Sequence, residues 1–151
     1  RPDLRVSSDF IVGFPGETAD DFQKTLDLVN EVKFDSSFSF IYSKRPGTPA
    51  SKLEDNTSAD EKKERLKTLQ DQLNLYHREH SNSMIGSIQR CLVTGLAKRS
   101  PEQLQARTEC NRVINFDLEN IRFIGKLVDI EVTEALSYSL LGTLHNPRGK
   151  N

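Results

Sequence analysis

The residues best equipped for chemistry in this 151-residue chain fall into two short loops and one scatter of cations. The first loop is Gly13-Phe14-Pro15-Gly16-Glu17-Thr18, set directly after the apolar run Phe10-Ile11-Val12. Glycine accepts a positive φ and proline fixes its own, so the segment reads as a tight turn. Such a turn bares backbone N–H groups at the end of a strand, and the helix that follows can receive a carboxylate or phosphate at its N-terminus. α/β folds keep their ligands at strand ends of this kind. A plain strand-to-helix turn, with glycine and proline serving geometry alone, fits the same residues, and both readings stand.

The second loop, Tyr42-Ser43-Lys44-Arg45-Pro46-Gly47-Thr48-Pro49, closes another strand-like run and is expected beside the first. Arg45 is stiffly flanked, and its guanidinium can fork onto a carboxylate or phosphate; an ordinary exposed arginine is the alternative. Side-chain alternation puts Asp9, Ile11 and Gly13 on one face of the first strand and Phe10, Val12 and Phe14 on the other. A carboxylate does not belong against packed helices, so Asp9 is expected on the inner, lumenal side. It is either a site residue or hydrogen-bonded to a neighbouring strand. His77, His80 and His145 are too scattered for a metal site or a triad. Cys91 and Cys110 stand nineteen apart, match no metal spacing, and read as reduced thiols of a cytoplasmic protein. No complete catalytic set is legible.

The cations lie in the second half: Arg90, Lys98, Arg99, Arg107, Arg112 and Lys126 are candidate phosphate contacts. From residue 84 onward nine Lys/Arg face seven Asp/Glu, whereas the remainder carries twelve against fifteen. The asymmetry has the sign of a nucleic-acid-binding segment, though it is small. Phe116 is expected in a core, and Phe123 either there or stacked on a base.

The elements that must position these groups follow from periodicity. Val6 to Phe14 reads as a strand buried on both faces, the parallel-sheet kind. Thr18 and Asp21 form a capping box, and Phe22, Leu26, Val29 and Val32 make the buried stripe of a helix ending near Lys33. Phe38–Ser43 alternates as a second strand. Ser58 and Glu61 repeat the capping signal and open a helix to about Ser83, with Leu66, Leu69, Leu73, Tyr76 and His80 facing a core rather than a coiled-coil partner.

Two βα units do not complete a parallel sheet. The chain moreover opens close to a strand and without Met, so a C-terminal fragment of a longer protein is expected. Apolar edges left by missing strands predict self-association. After Met84 short alternating segments take over: Gln89–Gly95, Gln105–Arg107, Arg112–Phe116, Leu127–Thr133 and Leu140–Leu144. They predict a small closed β-barrel of the oligonucleotide-binding type, and hence domains at 1–83 and 84–151. A hydrophobic content of 35% with 28% charged residues is that of a globular protein. No apolar run approaches the roughly 18 residues of a membrane span.

Ser7 to Thr18 and Phe38 to Ala50 resemble the last two strand ends of the radical S-adenosylmethionine methylthiotransferases. Arg107-Thr108-Glu109-Cys110-Asn111-Arg112-Val113-Ile114-Asn115-Phe116, then Ile124-Gly125-Lys126 and Ser139-Leu140-Leu141-Gly142, resemble the TRAM domain that closes those proteins. The resemblance covers nearly the whole chain in the right order. It implies an α/β plus all-β fold: the last two βα units of a partial (β/α)6 radical-SAM barrel, then an OB-like TRAM barrel. It implies S-adenosyl-L-methionine and two 4Fe–4S clusters as cofactors, with the cluster ligands outside this chain, no catalytic residue to carry over, and a fragment inactive alone. Asp9, Ile11, Gly13, Phe14, Pro15, Gly16, Glu17, Tyr42 and Arg45 would form one wall of the S-adenosyl-L-methionine pocket. The TRAM cations would hold the anticodon stem-loop of a tRNA, with the loops near Arg107 and Arg112 foremost. A sibling acting on a ribosomal-protein aspartate, and a non-catalytic RNA-binding module, are the alternatives.

Overall fold

Four extended residues, Asp9–Val12 (β1), end at Gly13, whose φ of +68° only glycine takes without strain. The computed structural model describes residues 4–98 and 100–145. After the turn, α1 (Ala19–Val32) starts on a capping box: Thr18 Oγ1 accepts from the Asp21 N–H at 3.1 Å and Asp21 Oδ2 accepts from the Thr18 N–H at 3.1 Å. Lys33 ends α1 in the left-handed conformation, its N–H returning to the Val29 carbonyl. β2 (Phe38–Ile41) then runs parallel to β1, with Phe10 opposite Ser39 and Val12 opposite Ile41. A 3₁₀ turn at Pro49–Lys52 leads to α2 (Ala59–Asn82), where Ser58 Oγ accepts from the Glu61 N–H.

The helical stripes and one strand face meet in a core of Phe10, Val12, Val29, Phe34, Leu69, Leu73 and Tyr76. The stripe of α2 therefore faces a core, as its spacing requires. Burial of β1 on both faces does not hold. Phe10 and Val12 are buried, but Ile11 is 58% exposed and its β2 neighbours Phe38 and Phe40 are 67% and 55% exposed. Among the described residues both helices pack on one side of the sheet, which leaves the other side open.

The cap is a testable joint. Replacing Thr18 by alanine is expected to lower stability by about 1 kcal/mol in urea unfolding. The hydrogen bonds from Thr18 hold the Asp21 carboxyl below its usual 3.8. A depressed folded-state pKa stabilises above the unfolded value, so this contribution is present above pH 3.8 and disappears as pH falls through the lower folded value. The alanine variant is expected to lose that acid dependence.

The chain divides between His77 and Arg78 into two compact units. In the second, β3 (Ile88–Ala97), β4 (Ser100–Thr108), β5 (Val113–Asp117), β6 (Leu127–Ala135) and β7 (Leu140–Leu144) close a barrel in the order β3-β4-β5-β7-β6. β5 and β7 are parallel and every other pair is antiparallel, the five-stranded Greek-key pattern of an OB-like barrel. Alternate residues point inward: Cys91 and Val93, Leu104 and Ala106, Ile114 and Phe116, Val128, Ile130 and Val132, and Leu140. No helix of the described residues is long and apolar enough to cross a membrane.

Candidate functional site

The corner after β1 is built around a buried ion pair. Glu17 folds back so that its Oε1 accepts from the Gly13 N–H at 3.1 Å and from Arg65 Nη1 at 2.6 Å. The same Nη1 donates to the Glu17 carbonyl at 3.1 Å, and Arg65 Nη2 reaches Glu61 Oε1 at 2.5 Å. The Arg65 and Glu17 side chains are only 8% and 12% exposed. Burial works to lower the Arg65 pKa, but the hydrogen bonds and charges of Glu17 and Glu61 outweigh it and hold the pKa above its usual value. Lys62 lies one helical step away, its stem flat on Gly13: a β-carbon there would come 2.7 Å from Lys62 Cγ. Its ammonium pairs with Asp55, and that hydrogen bond keeps the Asp55 carboxyl below the usual range.

The nine residues expected to line a pocket therefore separate. Glu17 and the Gly13 N–H are engaged with each other, and Gly13 and Pro15 are buried. Asp9 and Ile11 lie on the open face of the sheet, and Phe14, Gly16 and Arg45 are exposed at the rim. The two loops do meet: Phe14 packs edge-on against Tyr42 with ring centroids 5.1 Å apart. The Tyr42 N–H continues the ladder to the Val12 carbonyl, and its hydroxyl is buried with no hydrogen-bond partner among the described residues. Glu17's guanidinium partner is Arg65, a residue the motif reading passed over. A signal was present, because Arg65 falls on the buried stripe of Leu69, Leu73 and Tyr76, and a charge on such a stripe needs a buried partner.

On the barrel the predicted phosphate contacts also differ in kind. Arg90 pairs with Asp129 at 3.3 Å across β3 and β6. Arg112 is a correction. It is 6% exposed, its Nε donating to Ser81 Oγ at 3.0 Å and its Nη1 approaching Cys110 Sγ at 3.4 Å, so it is no surface contact for a phosphate. Arg107 is exposed and uses Nη1 on the carbonyl and amide oxygens of Asn111 at 2.9 and 3.2 Å. Lys98 and Lys126 are exposed and form no ion pair among the described residues, while Arg99 lies outside the described residues. Phe123 packs against the barrel core, and the Arg122 guanidinium sits 5.0 Å over its ring. Arg122 is thus a further exposed cation that motif reading missed. Burial pushes the Cys91 thiol up to about 12, which suits a core residue and not a nucleophile.

A closed five-stranded barrel of this strand order is the architecture of an oligonucleotide-binding module. Residues 82–145 match the TRAM domain family, so the barrel is a TRAM domain. Over 142 residues the chain is 55% identical to the tRNA-2-methylthio-N(6)-dimethylallyladenosine synthase of Hahella chejuensis. It is 56% identical over 144 residues to the enzyme of the same name from Legionella pneumophila strain Corby, and 52% over 144 residues to that of Serratia proteamaculans. These matches take in 94–95% of this chain and 30–32% of each relative. The chain is homologous to these synthases, and it spans about a third of the length of the curated relatives it matches.

Proposed function

We propose that this chain is part of a tRNA methylthiotransferase that adds a methylthio group to the isopentenylated adenosine beside the anticodon, in the cytoplasm. One observation carries the reading: identity of 52–56% extends over both the α/β unit and the barrel, not over the RNA-binding module alone. The relatives' action on tRNA supports tRNA over a ribosomal-protein aspartate as the substrate. We take the α/β unit, domain 1–83, as the last two βα units of a radical-SAM barrel, and 84–151 as the tRNA-holding domain.

S-adenosyl-L-methionine and two 4Fe–4S clusters supply the radical and sulfur chemistry when bound. The residues present fit one side of the nucleoside. Ile11 and Phe40 offer an open apolar strand face to a flat ring, Asp9 offers a carboxylate at its edge, and Gly16 leaves free space where a side chain would stand. Phe14 and Tyr42 pack edge-on just beyond the ends of the two strands. Glu17 supports the pocket from behind through Arg65 rather than touching the ligand. The family's clusters use three-cysteine sets, and two cysteines cannot form one, so cluster ligation is assigned to the rest of the protein.

Binding of tRNA by the full chain tests the reading. Four exposed cations without a carboxylate partner among the described residues, Lys98, Arg107, Arg122 and Lys126, predict a log–log salt slope of about −3, at roughly 0.7 to 0.9 per phosphate contact. Lys126→Gln should make that slope shallower by about 1. An affinity that is absent, or indifferent to salt, would remove the RNA-binding half of the proposal.

A further inference from the structure

Tyr138 is the most exposed large side chain of those that bear apolar surface among the described residues, at 90%. It stands with Ser137 at the tip of the β6–β7 hairpin, which the Leu136 N–H closes on the Ser139 carbonyl at 2.8 Å. A single exposed aromatic is ordinary on a protein surface. What distinguishes this one is its neighbourhood. β7 begins at Leu140, opposite Ile114 of β5, and Ile114 lies opposite Ala106 of β4. The hairpin and the Thr108–Arg112 turn therefore leave the barrel at the same end, with only β5 between their strands. Two inter-strand steps amount to about 10 Å. At that turn Arg107 presents an exposed guanidinium bonded, among the described residues, to the neutral oxygens of Asn111.

A rigid aromatic plate and an exposed cation one strand apart suit a single nucleotide, ring on ring and phosphate on guanidinium. Barrels of this topology use the face of their second and third strands and the loop between their last two, here β4, β5 and the Tyr138 hairpin. Glu109 and Glu134 at the same end interrupt any continuous cationic track, which disfavours a duplex with its two phosphate rails. A base inside a duplex has both faces covered by its stacked neighbours, so an unpaired, unstacked one accepts the ring. We propose that Tyr138 is a stacking platform for an unpaired RNA base whose adjoining phosphate is held by Arg107. This deepens the RNA-binding reading above and rests on it.

The chain contains no tryptophan, so Tyr138→Trp installs a single indole fluorophore at the tip. Its emission is expected to be quenched on titration with tRNA but not with inorganic polyphosphate, which offers charge without bases. Tyr138→Ala should weaken tRNA binding roughly 5- to 100-fold, the range of one lost base stack, with the salt slope unchanged because no phosphate contact is removed. Tyr138→Phe should bind like the parent. The ring touches no core, so the melting temperature should be the same in all three variants. Salt-dependent tRNA binding with no quenching, and with Tyr138→Ala at parental affinity, would overturn the stacking assignment alone. Failure of the unaltered chain to bind tRNA would overturn it together with the RNA-binding reading.

Discussion

Replacing Arg65 by alanine is expected to cost the α/β unit about 3–5 kcal/mol, the usual consequence of removing one partner from a buried ion pair. The loss comes less from the missing attraction than from what is left behind. Glu17 would keep its carboxylate beneath the corner with the Gly13 N–H as its one remaining donor among the described residues, in a place with little access to water. The half-exposed Glu61 contributes far less, and Glu61→Ala should cost under about 1 kcal/mol. Urea unfolding of Arg65→Met, Glu17→Met and the double variant forms the informative cycle. The double variant should recover much of the loss, since two apolar groups of similar volume bury no unpaired charge. A cost below about 1 kcal/mol for Arg65→Ala would mean that water reaches Glu17 and that the ion pair does not hold the corner. The consequence for function is positional. Gly13 to Glu17 form the corner that carries the exposed Phe14 and Gly16, and Arg65 fixes both ends of that segment, through the Glu17 carboxylate to the Gly13 N–H and through the Glu17 carbonyl.

What the chain discloses before folding depends on how local the physics is. Thr18 with Asp21 and Ser58 with the Glu61 N–H are contacts three residues apart, and they were legible as caps. Inward positions of the barrel, such as Val128, Ile130 and Val132, were legible because a strand repeats every second residue. The fates of Arg65 and Arg112 were not, since their partners Glu17 and Ser81 lie 48 and 31 residues away and no period connects them. The contiguous apolar run of β1 showed that it could be buried on both sides but not what would cover Ile11. Arg112 belongs to a motif whose surface role seemed natural from charge alone, yet the Thr108 hydroxyl accepts from its backbone N–H and Ser81 Oγ accepts from its Nε, which holds the side chain inward. Tyr138 occupies a short connection where no pattern can operate, and only its exposure and its strand neighbours give it meaning.

Gly142→Ala is expected to destabilise the barrel by about 1–3 kcal/mol, the usual cost of forcing an added carbon into a packed site. Gly142 sits in β7 opposite Val132, beside the register shift between Val132 and Glu134. A β-carbon there would lie 2.5 Å from Ile130 Cγ2, 2.6 Å from the Glu131 carbonyl oxygen and 2.8 Å from Ile114 Cδ1. The glycine is needed for close approach, and the decisive neighbour is the carbonyl. A side-chain methyl can rotate away, whereas Glu131 belongs to the strand that pairs with β7. For a domain of this size each kcal/mol moves the melting temperature by roughly 4–8 °C, so the effect is readily measured by circular dichroism. Gly142→Val should be worse, because two further carbons meet the same wall. Ile114→Val removes only the Cδ1 contact, and in combination with Gly142→Ala it should restore little stability. Full restoration would show that the core isoleucine, not the β6 backbone, limits this position. Loss of tRNA affinity in step with loss of the folded barrel would then tie binding to the closed barrel itself, and not to the charge of an unfolded segment, which every one of these variants retains.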